Sequence, residues 1–374
     1  MLRRQPLSLP YDDQLPLLVR SLQTTSADLA EPVEPPRPER FVDAVFHHGL
    51  AGHAARALEL GALGLPAETR TRLARGGALL QAQSAALRRE LAAIEPVLAD
   101  ACRARPVCIK GPALADRLYP DRRLRTFVDL DLLVPRARLT AGADALVARG
   151  YEPLHEFRSG FGERHGHDLH LVRRVGAVAL NVELHWRVGD DPLGVGLDHS
   201  RLAGGDLLTV AGAEISIPGV AEQILVVAVH LLGDRSKRLI WVQDLALVAR
   251  QASEPAWQRA FELADELRLD WALHRALDYA KRYAGLQRAR PTTAPKPPPW
   301  GPLRAVEELD VRASTHFGRL ATLGWRSRLR YLWEVLVPSR DGLRGTVGED
   351  GAPTARLVGR HVRSVLLGLR PRRR

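Results

Sequence analysis

The stretch FVDLDLLV, residues 127–134, decides the fold class, because its alternation of apolar and polar residues is typical of a β-strand. Successive side chains of a strand point to opposite faces, so Leu130 and Leu132 share one face while Asp129 and Asp131 share the other. Two carboxylates about 6–7 Å apart are close enough to hold divalent cations, and Mg²⁺ favours such oxygen ligands. By itself, however, a D-x-D pattern more often marks a solvent-facing strand than a metal site.

Three more strands are predicted around this one. PVCIK (106–110) is a short apolar run before a turn, whereas DLHLVRRV (168–175) and AVALNVELHW (177–186) are joined tightly at Gly176, as in a hairpin. We therefore expect a sheet of about four strands within residues 105–190, with helices on one face.

Further polar residues are expected near the two aspartates. Glu183 and His185 share one face of the last predicted strand, and Glu183 is the candidate third carboxylate. For His185, a substrate contact and a structural hydrogen bond fit equally well. Lys110 and Gly111 form the turn after the first strand. Carboxylates for a metal, together with a glycine turn and cations for a triphosphate, are the parts of a nucleotide-transfer site.

The segment CIKGPALADRLYPDRRLRTFVDLDLLVPRARLTAGADALVARGYEP, residues 108–153, resembles a bacterial family of poorly characterised nucleotidyltransferases. Its pattern is K-G, seven residues, Y-P, and then R-x-x-x-D-h-D-h-L-V, where h is apolar. The similarity continues in VELHW (182–186), HL (230–231), WVQDLA (241–246) and YLWEVLVPSRDGLR (331–344), and it covers most of residues 45–345. The members of this family are similar to the DNA polymerase beta nucleotidyltransferase superfamily, as remote relatives.

The resemblance implies a metal site and a reaction. Asp129 and Asp131 would bind Mg²⁺, with Mn²⁺ as an alternative, and Glu183 would position or deprotonate the attacking hydroxyl. An acceptor hydroxyl would attack the α-phosphate of an NTP, for which ATP is the first expectation, and pyrophosphate would leave. The expected acceptor is a small molecule, a sugar or a peptide.

The phosphate-binding turn departs from the wider superfamily. Lys110 and Gly111 occupy the place of its Gly-Ser turn, but Pro112 stands where a serine is expected and offers no N–H. Phosphate binding would then depend on Lys110, Arg122 or Arg125, or the donor differs from ATP.

Three other functions are consistent with the sequence. A phosphotransferase on the same fold would release ADP instead of pyrophosphate. The missing serine would also suit a non-catalytic nucleotide-binding or regulatory protein. A nucleic-acid-binding module would use the basic C-terminal region, but no helix-turn-helix or basic strand with aromatic residues supports it.

The predicted fold is α+β: a small mixed β-sheet forms the nucleotidyltransferase core, with N-terminal helices before it and a C-terminal helical region after it. A long helix precedes the sheet, and Pro96 is expected to kink or end it. The predicted segments are a loosely structured arm with one helix near residues 13–22 (1–40), an N-terminal helical region (41–104), the core (105–215), a helical domain (216–290), a proline-rich linker (291–302) and a basic helical C-terminal region (303–374).

Histidines elsewhere in the sequence are not predicted to bind metal. In RHGHDLH (164–170) the spacing is not H-E-x-x-H, and strand alternation would place His167 and His170 on opposite faces. His230 and Asp244 lie on predicted helices, where packing or capping is favoured over substrate contact.

Charge and composition give the class of the chain. The 374 residues carry 54 Lys+Arg and 43 Asp+Glu, a formal net charge of +11, and 45% of them are hydrophobic. From residue 286 onwards there are 18 Lys+Arg and 7 Asp+Glu, so that residues 1–285 are neutral. The charge therefore does not point to nucleic acid as the partner of the core. Two cysteines, no long apolar run and no apolar N-terminal segment lead us to expect a cytoplasmic protein without a membrane span.

Overall fold

The computed structural model describes residues 11, 13–23, 32–154, 164–190, 193–194, 196–233, 237–287, 320 and 323–336. Its α-helices within these residues are α1 (Leu15–Gln23), α2 (Pro38–His47), α3 (Ala51–Glu59), α4 (Ala67–Cys102), α5 (Pro112–Leu118), α6 (Leu139–Val147), α7 (His199–Leu202), α8 (Val220–Gly233), α9 (Leu239–Gln251), α10 (Glu254–Glu266), α11 (Asp270–Ala284) and α12 (Trp325–Leu336). Its strands are β1 (Val107–Cys108), β2 (Asp129–Leu133), β3 (Glu152–Pro153), β4 (Asp168–Val175), β5 (Val178–His185), β6 (Asp206–Val210) and β7 (Ala213–Ile217).

All of these strands form one mixed sheet in the order β3-β4-β5-β2-β1-β7-β6. The pairs β2–β5 and β1–β7 are parallel, and the other neighbours are antiparallel. The prediction of an α+β protein with a mixed sheet is confirmed, but the expected number of about four strands is wrong. The sheet also contains β3, β6 and β7.

The hairpin β6–β7 lies just beyond the region in which strands were predicted. Ala211 and Gly212 connect its strands with φ angles of 48° and 85°. Two successive positive φ angles are typical of the tight two-residue turns that match strand twist. Through this hairpin the sheet extends past β1, where β7 pairs with Val107.

Side chains of β2 contribute to both faces of the sheet. Leu130 and Leu132 are fully buried in a cluster with α4 and α6. Leu133 points the other way and joins Val107 and Ile109 in the large cluster formed with α8 to α11. Helices therefore cover parts of both faces, and the expectation of helices on one face is incomplete.

The helix α4 is longer than the sequence predicts. It extends over 36 residues and continues through Pro96, so of the two expected outcomes at that residue, a kink or an end, the end does not occur. Pro96 is exposed, and Ile94 and Leu98 beside it are buried against the sheet. Burial of this apolar face outweighs the one backbone hydrogen bond that proline removes.

The helices α8, α9, α10 and α11 lie within residues 216–290, where a helical domain is predicted. The predicted proline-rich linker at 291–302 lies outside the described residues. So do most of the predicted arm at 1–40 and most of the predicted basic region at 303–374. In the part of the chain that the structure describes, no helix is long and apolar enough to cross a membrane.

Candidate active site

The site is built on the pairing of two parallel strands. Asp129 and Asp131 of β2 lie opposite Asn181 and Glu183 of β5. Paired residues share a face of the sheet, so all three carboxylates point to the same side. They line an open cleft of about 890 Å³, which includes its mouth. The sequence prediction had placed these carboxylates on one sheet, and the parallel register is what brings them together.

Lys110 and Gly111 lie at the wall of the same cleft, directly after β1. The Lys110 ammonium nitrogen is 2.5 Å from Asp131 Oδ1 and 3.5 Å from His230 Nδ1. Gly111 has a φ angle of +55°, and a Cβ atom there would lie 3.2 Å from the backbone oxygen of Asp129. In this structure the lysine neutralises a carboxylate, and the glycine allows the turn to approach β2 closely.

Burial and neighbouring charges shift the pKa values of the two aspartates in opposite directions. Burial and the charge of Asp131 raise the pKa of Asp129 to about 7. Burial would also raise the pKa of Asp131, but Lys110 and the hydrogen bond with His185 outweigh it and hold that pKa far below its usual range. Of the two aspartates, Asp131 is therefore the one whose negative charge the surroundings stabilise more.

His185 lies among the carboxylates and is almost fully buried. Its Nε2 is 3.2 Å from Asp131 Oδ1 and 3.3 Å from Glu183 Oε2. Burial would lower the pKa of His185, but these two carboxylates raise it to about 9. Asp131, Glu183 and His185 each offer a ligand atom within 4.8 Å of the others, so they form a set that could hold a metal ion.

The two arginines expected at the phosphates lie in different surroundings. Arg125 lines the cleft but is buried, and its Nε lies 3.1 and 3.0 Å from the two carboxylate oxygens of Asp244. Tyr119 donates a hydrogen bond of 2.7 Å to the same carboxylate. Asp244 is thus a buried partner of a cleft residue, which its helical position alone did not indicate. Arg122 is exposed on a short 3₁₀ turn and is not among the residues that line the cleft.

Sequence analysis missed Arg238, which also lines the cleft. Its guanidinium lies 5.4 Å from the ring centroid of Trp241, and its Nε is buried without a hydrogen-bond partner among the described residues. Arg238 precedes α9, where the sequence shows an Arg beside the WVQDLA motif but not the direction of the side chain. Trp241 is both buried and part of the cleft wall.

The histidines of residues 164–170 lie closer to the site than their spacing suggested. His167 precedes β4 instead of belonging to it, so strand alternation does not apply to it. Its ring centroid is 5.5 Å from that of His185. His170 lies on β4 opposite Glu183, and its Nδ1 is 3.3 Å from Glu183 Oε1.

Fold and cleft together define a class of protein: an α+β chain whose mixed sheet presents a cluster of carboxylates, with a lysine beside them, at an open cleft. The sequence model of a family described as uncharacterised nucleotidyltransferase matches residues 34–285, which include the whole sheet. The chain belongs to this family and is accordingly a transferase of phosphorus-containing groups. No curated protein matches the chain.

Proposed function

We propose that this chain moves a nucleoside monophosphate from an NTP, ATP in the first instance, to a hydroxyl group of a small molecule, a sugar or a peptide. The observation that carries the proposal is the register of β2 and β5, which presents Asp129, Asp131 and Glu183 on one face at the cleft. Three carboxylates in a cleft are the ligands that a triphosphate with a divalent cation requires.

The donor set is suited to a divalent cation. Asp131 and Glu183 supply carboxylate oxygens, and Asp129 lines the same cleft. Oxygen ligands favour Mg²⁺, whereas the imidazole of His185 beside them would also admit Mn²⁺. When bound there, such a cation would neutralise negative charge on the phosphates and polarise the phosphoryl oxygen.

The chain's own residues would supply binding and proton transfer. The acceptor hydroxyl oxygen forms a bond to the α-phosphorus, the bond from that phosphorus to the bridging oxygen breaks, and pyrophosphate leaves with the electron pair. Glu183 is the carboxylate that accepts the hydroxyl proton, in the role that the resemblance implies. Lys110 and Arg238 line the cleft and are the cations that we assign to the phosphates.

The cleft also has apolar lining residues that suit a base. They are Phe46, Leu80, Ile240 and Trp241. Aromatic rings stack on any nucleobase, so such a wall provides affinity with little selectivity. We therefore expect several NTPs to bind, with the phosphates directed toward Lys110.

The experiment combines purified full-length protein, each of the four NTPs with Mg²⁺ or Mn²⁺, and a cell extract as the source of acceptors. Mass spectrometry would detect added nucleoside monophosphate, and an enzyme-coupled assay would measure pyrophosphate. The matched variant is Asp129→Asn with Asp131→Asn, which removes two negative charges and keeps the side-chain volume.

Wild type should form pyrophosphate and a nucleotidylated product, and the double variant should lose at least about two orders of magnitude in rate, as expected for loss of a catalytic cation. Formation of ADP and a phosphorylated product would instead identify a phosphotransferase. Equal nucleotide binding by both proteins with no turnover by either would reject the enzymatic role proposed for these carboxylates.

A further inference from the structure

A second group of ligand residues lies beside the carboxylates on the same face of the sheet. The antiparallel pairing of β4 with β5 places Asp168 opposite His185 and His170 opposite Glu183. His167 adjoins this group from the residue before β4. The ligand atoms of His167, Asp168 and His185 all lie within 4.8 Å of one another.

The ring of His185 has one nitrogen in use and one without a partner. Nε2 contacts the carboxylates of Asp131 and Glu183 at 3.2 and 3.3 Å. Nδ1 is buried and has no hydrogen-bond partner among the described residues, and the side chain is only 1% exposed. An unsatisfied buried nitrogen costs free energy. A cation on Nδ1 would displace the proton from this nitrogen, while Nε2 keeps its hydrogen for a carboxylate.

His167 and Asp168, the other two proposed ligands, also contact residues outside the proposed ligand set. His167 Nδ1 lies 3.0 Å from Asp190 Oδ1 and 3.7 Å from Asp168 Oδ1. Asp168 Oδ2 lies 2.7 Å from His170 Nε2. A carboxylate on one nitrogen of a histidine ring is the arrangement that orients metal-binding histidines in proteins. In this structure Nδ1 is the ring nitrogen of His167 that faces Asp168, and Asp190 holds the ring at the same nitrogen.

We propose that His167, Asp168 and His185 bind one divalent transition-metal cation, of the class of Zn²⁺, Co²⁺ and Mn²⁺, at a site next to the carboxylates of β2. Two imidazoles and one carboxylate are typical ligands of such cations. Mg²⁺ prefers a shell of oxygen atoms, so this nitrogen-rich site should discriminate against it.

Occupancy would connect this site to the cleft through one side chain. With His185 held by the cation on Nδ1, its Nε2 would fix the positions of Asp131 and Glu183. The inference concerns binding and stands independently of the reaction proposed above, because it is measured without any nucleotide or turnover.

The test is a titration of full-length, chelator-treated protein with Co²⁺ in the presence of excess Mg²⁺, followed by visible absorption and by competition with Zn²⁺. The variants are His167→Gln and Asp168→Asn, each of which replaces a ligand by a side chain of similar size. The control is His199→Gln, because His199 contacts the backbone oxygen of Arg105 and belongs to none of the ligand sets. Circular dichroism checks that each variant folds.

Wild type and His199→Gln should bind one Co²⁺ per chain with equal affinity and a visible absorption band. His167→Gln and Asp168→Asn should each weaken binding by at least about tenfold. If His167→Gln does not fold, Asp168→Asn decides. Absence of binding to wild type, binding by the folded variants as tight as wild type, or loss of Co²⁺ on addition of Mg²⁺ would overturn the proposal.

Discussion

Gly111 has a backbone conformation and surroundings that both exclude a side chain. Its φ angle is +55°, and an added Cβ would lie 3.2 Å from the backbone oxygen of Asp129 and 3.5 Å from the ring of Phe127. Left-handed helical angles cost a non-glycine residue about 1–2 kcal/mol. Gly111, with φ 55° and ψ −114°, lies outside even that region. Gly111→Ala should therefore lower the free energy of unfolding by more than this amount. Urea denaturation measures this loss.

Gly176 provides the control, since its φ angle is +60° and no atom lies within 4 Å of an added Cβ. In Gly176→Ala, the loss of stability should come from the positive φ angle alone, without a steric contact. Gly111→Ala should be the less stable of the two variants and should also bind ATP more weakly. Equal losses in the two variants would show that the close approach to Asp129 does not matter.

Asp244 is fully buried and compensates the charge of Arg125. Asp244→Asn removes that compensation at a buried position, so we expect a loss of about 3–5 kcal/mol in the free energy of unfolding. Asp206→Asn is the matched control, because Asp206 pairs with Arg117 but its side chain is 53% exposed. Exposed ion pairs contribute about 0–1 kcal/mol. Similar losses from both substitutions in urea titrations would contradict this assignment.

At this scale the sequence predicts residues on regular strands better than residues in loops. Alternation alone assigns Asp129, Asp131 and Glu183 to the polar faces of their strands. It contains no information on the partner of Arg125 or on the direction of Arg238, because both depend on helices that pack from elsewhere in the chain. Whether these residues act in the reaction stays a prediction.

Among the helices, α4 contains an internal proline that should lower its stability. Pro96 lies at an exposed position of the helix and lacks the N–H group that would bond to the preceding turn. Pro96→Ala should raise the free energy of unfolding by about 1–2 kcal/mol, less than the full helical cost of about 3 kcal/mol, because alanine also frees the unfolded chain. Arg89→Ala, at another exposed position of α4, should change it by less than about 0.5 kcal/mol. Thermal or urea unfolding that shows no gain for Pro96→Ala would refute this expectation.

The helix α12 is attached to the rest of the described chain through Glu334. This carboxylate accepts a hydrogen bond from Arg164 and lies 2.8 Å from His165 Nε2, and both groups lie just before β4. Tyr331 adds a ring contact of 4.9 Å with His165. Glu334→Ala should release the helix, since the buried ring of His165 and the partly exposed Arg164 both lose this carboxylate.

Hydrogen exchange of residues 325–336 is the measurement for α12, and it should become faster by at least about tenfold in Glu334→Ala, the factor that corresponds to a loss of 1.4 kcal/mol. Glu262→Ala, at an exposed position of α10, serves as the control and should leave that exchange unchanged. Unchanged exchange in Glu334→Ala would show that other contacts hold the helix.

At the scale of elements, a clear period helped prediction, but length alone did not decide it, because the two-residue β1 was predicted whereas the five-residue β6 and β7 were not. The helices α8 to α11 and the strands β2, β4 and β5 have five or more residues with a clear period. The strand β3 has two residues and is too short for any period. The β6–β7 hairpin was missed because no strand was predicted after residue 190.

For the whole molecule, buried neutral histidines should make stability depend on pH. Burial, together with repulsion from Arg125, lowers the pKa of His53 from 6.5 to about 4. Between these values the unfolded chain binds a proton that the folded chain does not, so unfolding becomes easier as pH falls through this window. The full contribution of His53 to the free energy of unfolding is about 3 kcal/mol. It is present above the unfolded pKa of this histidine and is lost as the pH falls toward 4.

The test compares wild type with His53→Leu in urea titrations across that pH range. Between the upper and lower ends of this pH window, the free energy of unfolding of the variant should fall by about 3 kcal/mol less than that of wild type. This difference does not depend on the stability of the variant at neutral pH. Carboxylates titrate equally in both proteins, so the difference isolates the histidine. Parallel pH profiles for the two proteins would mean that His53 takes up a proton in the folded state.

The position of β1 in the sheet has a consequence for the growing chain on the ribosome. This two-residue strand lies between β2, which follows it closely, and β7, which is synthesised about a hundred residues later. Until residue 217 has left the exit tunnel, one edge of β1 has no strand to pair with, and an open edge invites pairing with other chains. A nascent chain stalled before β6 should therefore engage chaperones more than one stalled after β7.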